Sequence, residues 1–85
     1  MLMDRAIFDL NASVEATSLY ILLCALLDQQ ELPTLTRAKV QWNGSGENLV
    51  SAAEELMRRG VLQEIHPLRD DEPLRVNPRD KWDLS

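Results

Sequence analysis

The sequence is short of the residue types on which several classes of protein depend. Its 85 residues include one cysteine, Cys24, one histidine, His66, and three glycines. A single cysteine excludes an intrachain disulfide framework, which small secreted proteins commonly need. The lone histidine has no nucleophile or second ligand placed beside it by any motif. No phosphate-cradling glycine loop occurs either. We therefore expect a protein that is not an enzyme and that needs no cofactor or metal.

Long hydrophobic runs are also absent. The longest apolar stretch is 19–27, nine residues, whereas a helix needs ~20 residues to span a bilayer. The first ten residues lack the basic start and continuous apolar stretch of a signal peptide. We expect a cytoplasmic protein with no membrane partner.

Positive charge is scarce, and its distribution is uneven. The net charge is −5, and residues 1–33 hold one basic residue, Arg5, against five acidic residues. Residues 34–66 hold four of each sign. Proteins that bind nucleic acid draw much of their affinity from phosphate neutralisation by lysine and arginine. This small acidic chain therefore lacks the basic footprint expected of such proteins.

Apolar periodicity predicts three helices, over 13–29, from 34 or 35 to 42, and over 46–59. Asn11 or Ser13 is suited to cap the first helix and Ser45 the third, because their side chains can accept a backbone N–H bond. Gly60 stands where a left-handed residue commonly ends a helix.

Two strands are predicted after the third helix, at 61–66 and 74–77. The segment between them is a charged turn bounded by Pro67 and Pro73. The fold class expected is therefore mostly α with a small β-hairpin.

This order of helices, turn and hairpin is similar to a known family. The residues that carry the similarity lie at 35–42, 43–46, 49–56, 58–62 and 74–78. Together they resemble the winged helix-turn-helix family. The resemblance implies a three-helix core plus a wing over residues 13–78, with 1–12 as an N-terminal arm or short helix and 79–85 as a C-terminal tail.

The same resemblance implies a surface that could contact DNA. The third helix would enter the major groove, where an asparagine amide matches the adenine edge. The candidate contacts to DNA or to a partner are Arg37, Lys39, Ser45, Asn48, Ser51, Arg69 and Arg75.

The first helix indicates a different function, because it is apolar almost all round and so both of its faces need cover. Its candidate self-association residues are Tyr20, Ile21, Cys24 and Ala25. Either the N-terminal residues 7–10 cover them, or they form a homodimer seam. Trp42 and Trp82 are either packed in the core or anchors for a partner.

The leading hypothesis is a non-catalytic winged-helix interaction module that acts through a protein partner or homodimerisation. It is based on the negative net charge and on the excess apolar surface of the first helix. The alternative is a small DNA-binding transcriptional regulator.

Overall fold

A computed structural model describes residues 3–65 and 67–83 of the chain. These residues form three α-helices, α1 (Val14–Asp28), α2 (Leu35–Gln41) and α3 (Gly46–Arg58). Two short 3₁₀ helices, Arg5–Asp9 and Arg79–Lys81, lie on either side of them in the chain. The three predicted helices are confirmed, with ends that differ from the prediction by at most one residue.

A hydroxyl-bearing side chain begins each α-helix. Ser13, Thr34 and Ser45 are the N-caps of α1, α2 and α3, and each accepts a hydrogen bond from the backbone N–H three residues later. These bonds satisfy N–H groups that have no partner within the helix. The predicted caps at Ser13 and Ser45 are therefore confirmed.

Gly60 ends α3 and turns the chain back over the core. Its φ is +78°, in the left-handed region that favours glycine. A Cβ at this position would meet the carbonyl oxygen of Lys81. The glycine thus permits both the turn and the close approach of the C-terminal 3₁₀ helix.

The core lies mainly between α1 and α3, which pack against each other along their apolar sides. Residues from both ends of the chain complete it, including Ile7, Leu10 and Trp82. The Trp82 indole N–H donates to the carbonyl of Asn77 at 2.9 Å. The arm and the tail therefore both pack on the helices.

The predicted β-hairpin wing is wrong, and the winged helix-turn-helix architecture is wrong with it. The described residues contain no strand, and 61–65 and 74–77 meet at one isolated antiparallel bridge, Leu62 with Val76. Two backbone hydrogen bonds flank this bridge, from Gln63 N–H to Arg75 at 2.9 Å and from Asn77 N–H to Val61 at 2.8 Å. The molecule is a three-helix globule with an irregular C-terminal segment.

The bridge is not continued toward the turn, where the next hydrogen-bonded pair would join Ile65 to Pro73, which has no N–H to donate. The N–H of Leu74 donates to the carbonyl of Pro33 at 2.9 Å, ahead of α2. The charged turn also lies against α2, where the N–H of Thr36 donates to the carbonyl of Asp70 at 3.1 Å and Lys39 pairs with the Asp70 carboxylate at 3.0 Å. The segment predicted as a wing therefore packs on α2.

Candidate functional site

An open apolar groove of about 410 Å³ runs along the outer side of α1. We call it the α1 groove. Its volume falls in the range of known binding pockets. The first helix supplies one wall, made of Val14, Glu15, Ser18, Ile21, Leu22 and Ala25.

The wall on α1 is apolar and accessible because this helix has more apolar residues than the core takes up. The core side of α1 holds Leu19, Tyr20 and Leu23, all fully buried. On the groove side, Val14 is 79% exposed and Ile21 is 41% exposed. Isolated exposed apolar residues are ordinary, but two on one side of a groove mark a candidate binding surface.

The opposite wall is the end of α2 and the turn into α3. It consists of Gln41, Trp42, Asn43, Gly44 and Asn48. The indole of Trp42 supplies its apolar part, and three side-chain amides supply polar groups around it. Asn43 and Gly44 belong to the turn at 43–46 that joins α2 to α3.

Gly44 lets the turn pack directly on the tryptophan. A Cβ at Gly44 would lie 2.9 Å from Nε1 of Trp42, closer than such contacts allow. The Nε1 atom is buried, and it has no hydrogen-bond acceptor among the residues that the structure describes. A buried donor without a partner has a free-energy cost.

The four candidate self-association residues separate into two pairs. Ile21 and Ala25 line the α1 groove. Tyr20 and Cys24 are buried in the core. Only the first pair is placed to contact a partner.

Tyr20 is covered by residues from both ends of the chain, and Cys24 is buried one helical turn further along α1. The Tyr20 hydroxyl accepts a hydrogen bond from the N–H of Asp4 at 3.0 Å, and its ring meets that of Trp82 edge-on, with centroids 5.4 Å apart. Burial raises the pKa of Tyr20 to about 12 and raises the pKa of the Cys24 thiol. Both side chains thus stay neutral, and Cys24 does not have the lowered pKa of reactive thiols.

The candidate basic contacts do not form a basic surface. Arg37 lies 3.4 Å from Glu31, Lys39 3.0 Å from Asp70, and Arg69 3.8 Å from Asp71. Each charge is therefore offset by a carboxylate that DNA phosphates would have to displace.

The remaining candidates do not line one common depression. Arg75 lines a shallow depression together with Glu64 and Glu72. Ser51 lies in another, with Lys39 and Asp70. Asn48 lines the α1 groove, and the Ser45 hydroxyl accepts the N–H of Asn48 as the α3 cap. DNA binding stays a prediction, and this charge arrangement counts against it.

A separate polar cluster ties the N-terminal region to α3. The Glu55 carboxylate accepts hydrogen bonds from the N–H and hydroxyl of Ser13 at 2.8 and 2.7 Å. Arg59 lies 3.6 Å from Glu55 and also donates to the carbonyl of Leu10. Burial alone would raise the pKa of Glu55, but the Ser13 hydrogen bonds and the charges of Arg59 and Arg58 hold it below its usual value.

Residues 3–65 and 67–83 contain no group of three histidine, cysteine or acidic side chains that could hold a metal ion. His66 lies outside the described residues. No helix in the described part of the chain is both long and apolar enough to cross a bilayer.

Comparison with family models, curated proteins and solved structures gave no match to this chain.

Sequence reasoning found part of the groove. It singled out Ile21, Ala25 and Asn48, and it named Trp42 as either core or anchor, but it did not connect them. It overlooked Val14, and it recognised Gly44 only as part of a turn. The available signal was the spacing of 14, 18, 21 and 25, which repeats as four, three and four residues and so marks a second helix face.

Proposed function

We propose that this chain is a non-catalytic binding module that docks an apolar segment of a protein partner in the α1 groove. The observation that carries the proposal is the pair of exposed apolar side chains, Val14 and Ile21, facing a groove whose other wall holds Trp42.

The chemistry of the groove suits a protein ligand. Covering Val14 and Ile21 removes apolar surface from water, which favours association. Tryptophan is enriched among the residues that dominate binding energy. The amides of Gln41, Asn43 and Asn48 can pair with polar groups at the edge of an interface.

The two tryptophans offer a direct test, because only one of them lines the groove. A synthetic amphipathic helical peptide of about 18 residues, with a leucine stripe, serves as the probe. It is titrated into ¹⁵N-labelled protein. We expect the indole N–H resonance of Trp42 and the amides of Ser18 and Asn43 to shift. The indole N–H of Trp82, bonded to Asn77 inside the molecule, should stay in place.

Two exposed valines give a matched pair of variants. Val14 lies in the groove, whereas Val40 on α2 is 84% exposed and does not line it. Val14→Ser should weaken peptide binding about fivefold, since it removes about 1 kcal/mol of apolar burial. Val40→Ser should leave binding unchanged. Equal effects of the two substitutions, or no shift at Trp42, would overturn the proposal. Shifts at Ser51 on adding duplex DNA would support the DNA-binding alternative instead.

A further inference from the structure

Resting on the proposed function, we infer that the occupant of the α1 groove is an amphipathic helix of another protein with lysine or arginine along its edges, not a second copy of this chain. Shape and charge each contribute to this assignment.

The shape of the α1 wall fits a helix. Val14, Ser18, Ile21 and Ala25 all line the groove, and their spacing is that of a helix–helix seam. Larger and smaller side chains alternate along it. Ser18 and Ala25 leave room for a neighbouring backbone to approach closely. The wall from 14 to 25 is about 17 Å long, or three helical turns.

The second wall selects an amphipathic occupant. A partner helix that packs one face along α1 would contact Trp42 with the part of its surface next to that face. Its apolar stripe therefore has to recur every three or four residues, wide enough to contact both walls. Its remaining face would stay in water.

The charge along the groove favours a basic partner. Glu15 is exposed and lines the groove, and α1 contains no basic residue. The whole of residues 1–33 contains a single base, Arg5. A lysine or arginine at the edge of the occupant could pair with Glu15, the one charged side chain among the described residues that line the groove.

A second copy fits less well in either orientation. If two α1 helices packed antiparallel about Ile21, each Glu15 would approach the C-terminal end of the other helix, where the backbone dipole is negative. If they packed parallel, the two Glu15 carboxylates would face each other. Neither arrangement brings opposite charges of the two α1 helices together.

The test compares two peptides with the same leucine stripe and a length of about 18 residues, one with several lysines at its edges and one with glutamates in their place. Binding is measured by fluorescence anisotropy of the labelled peptides. We expect the lysine peptide to bind about tenfold more tightly at ~50 mM salt, and the difference to shrink as salt screens the charges. Glu15→Gln should weaken the lysine peptide about twofold to threefold, as expected of one exposed charge pair.

The outcomes separate this inference from the proposed function. Equal binding of both peptides, with Trp42 shifted, would leave the groove intact as a docking site and overturn the basic occupant. No binding of either peptide would overturn both. Concentration-dependent dimerisation in sedimentation, lost on Ile21→Glu, would show that a second copy is the occupant and would also overturn the inference.

Discussion

The two helices that build most of the core, α1 and α3, resemble each other in all but their outer faces. They have similar lengths, 15 and 13 residues, and both begin at a serine cap. On α3 the apolar residues other than the half-buried Val50 are buried in the core, and the outer side carries Glu47, Ser51, Glu54 and Arg58, all exposed. On α1 the outer side carries Val14 and Ile21. One apolar face is sufficient for folding, so the second face of α1 is available for binding.

The strongest test of this difference is to truncate one side chain on the core face of α1 and one on its outer face. Leu19→Ala removes a fully buried side chain and should destabilise the protein by about 3 kcal/mol, through lost burial and a cavity. Ile21→Ala on the groove side should cost less than about 1 kcal/mol, because the side chain is already partly in water. Urea unfolding measures both. Equal losses would mean that the outer face of α1 is part of the core after all.

The end of α3 should be the next most sensitive point. Gly60→Ala places a Cβ at a positive φ and against the Lys81 carbonyl, so we expect a loss of about 2 kcal/mol. Gly46→Ala is the control, since a Cβ there meets nothing within 4 Å, and it should be neutral or slightly stabilising. Thermal unfolding of both variants checks this. A well-tolerated Gly60→Ala would contradict the described turn.

The hydrogen bonds between Ser13, at the start of α1, and Glu55 on α3 should make the stability of the protein depend on pH. The pKa of Glu55 is lowered in the folded protein. The stability that Glu55 contributes is therefore fully present above its pKa in the unfolded state, and it is lost as the pH falls through its pKa in the folded state. Glu55→Gln should cost about 1 kcal/mol at neutral pH and should flatten the loss of stability on acidification.

The neighbouring acid provides the control for this measurement. Glu54 is exposed on the outer side of α3. Glu54→Gln should therefore lose stability at acidic pH to the same extent as the wild type. Identical curves for the two variants would rule out the Ser13–Glu55 contact as the cause.

The smallest expected effect on stability concerns the groove wall opposite α1. Gly44→Ala forces the Trp42 indole to move, since the new Cβ would lie 2.9 Å from Nε1. We expect a shift of the Trp42 indole N–H resonance and weaker peptide binding, with a loss of stability below about 1 kcal/mol because the turn is on the surface. An unchanged Trp42 resonance would argue against the close packing of turn and indole.

Local signals predicted the helices well. Side chains that cap a helix act within three residues of it, and the apolar period acts within one helix, so both are readable in the chain. The left-handed Gly60 was readable for the same reason. The absence of a wing could not be predicted in this way. The segment at 74–77 has a strand-like pattern, but the partners of its backbone hydrogen bonds are distant in the chain. Leu74 pairs with Pro33, 41 positions away in the sequence.

The candidate site was only partly predictable for a similar reason. The sequence showed that α1 has excess apolar surface, but Tyr20 and Ile21 are neighbours, and either side chain could have faced the core. Which of them is covered depends on where the chain ends pack, and Asp4 and Trp82 cover Tyr20. The ion pair of Lys39 with Asp70 was likewise invisible, because it joins residues that are 31 positions apart in the chain.

The sequence by itself determined three capped helices, the left-handed end of α3, the acidic charge of the first third and the apolar excess of α1. Only the tertiary structure decided that residues 67–74 lie against α2, that both chain ends cover one side of α1, and that Trp42 faces the other side across a groove. The physical reason is that periodicity and capping are set by interactions between near neighbours in the chain, whereas the choice among competing apolar and hydrogen-bonding partners is made only when the whole chain packs.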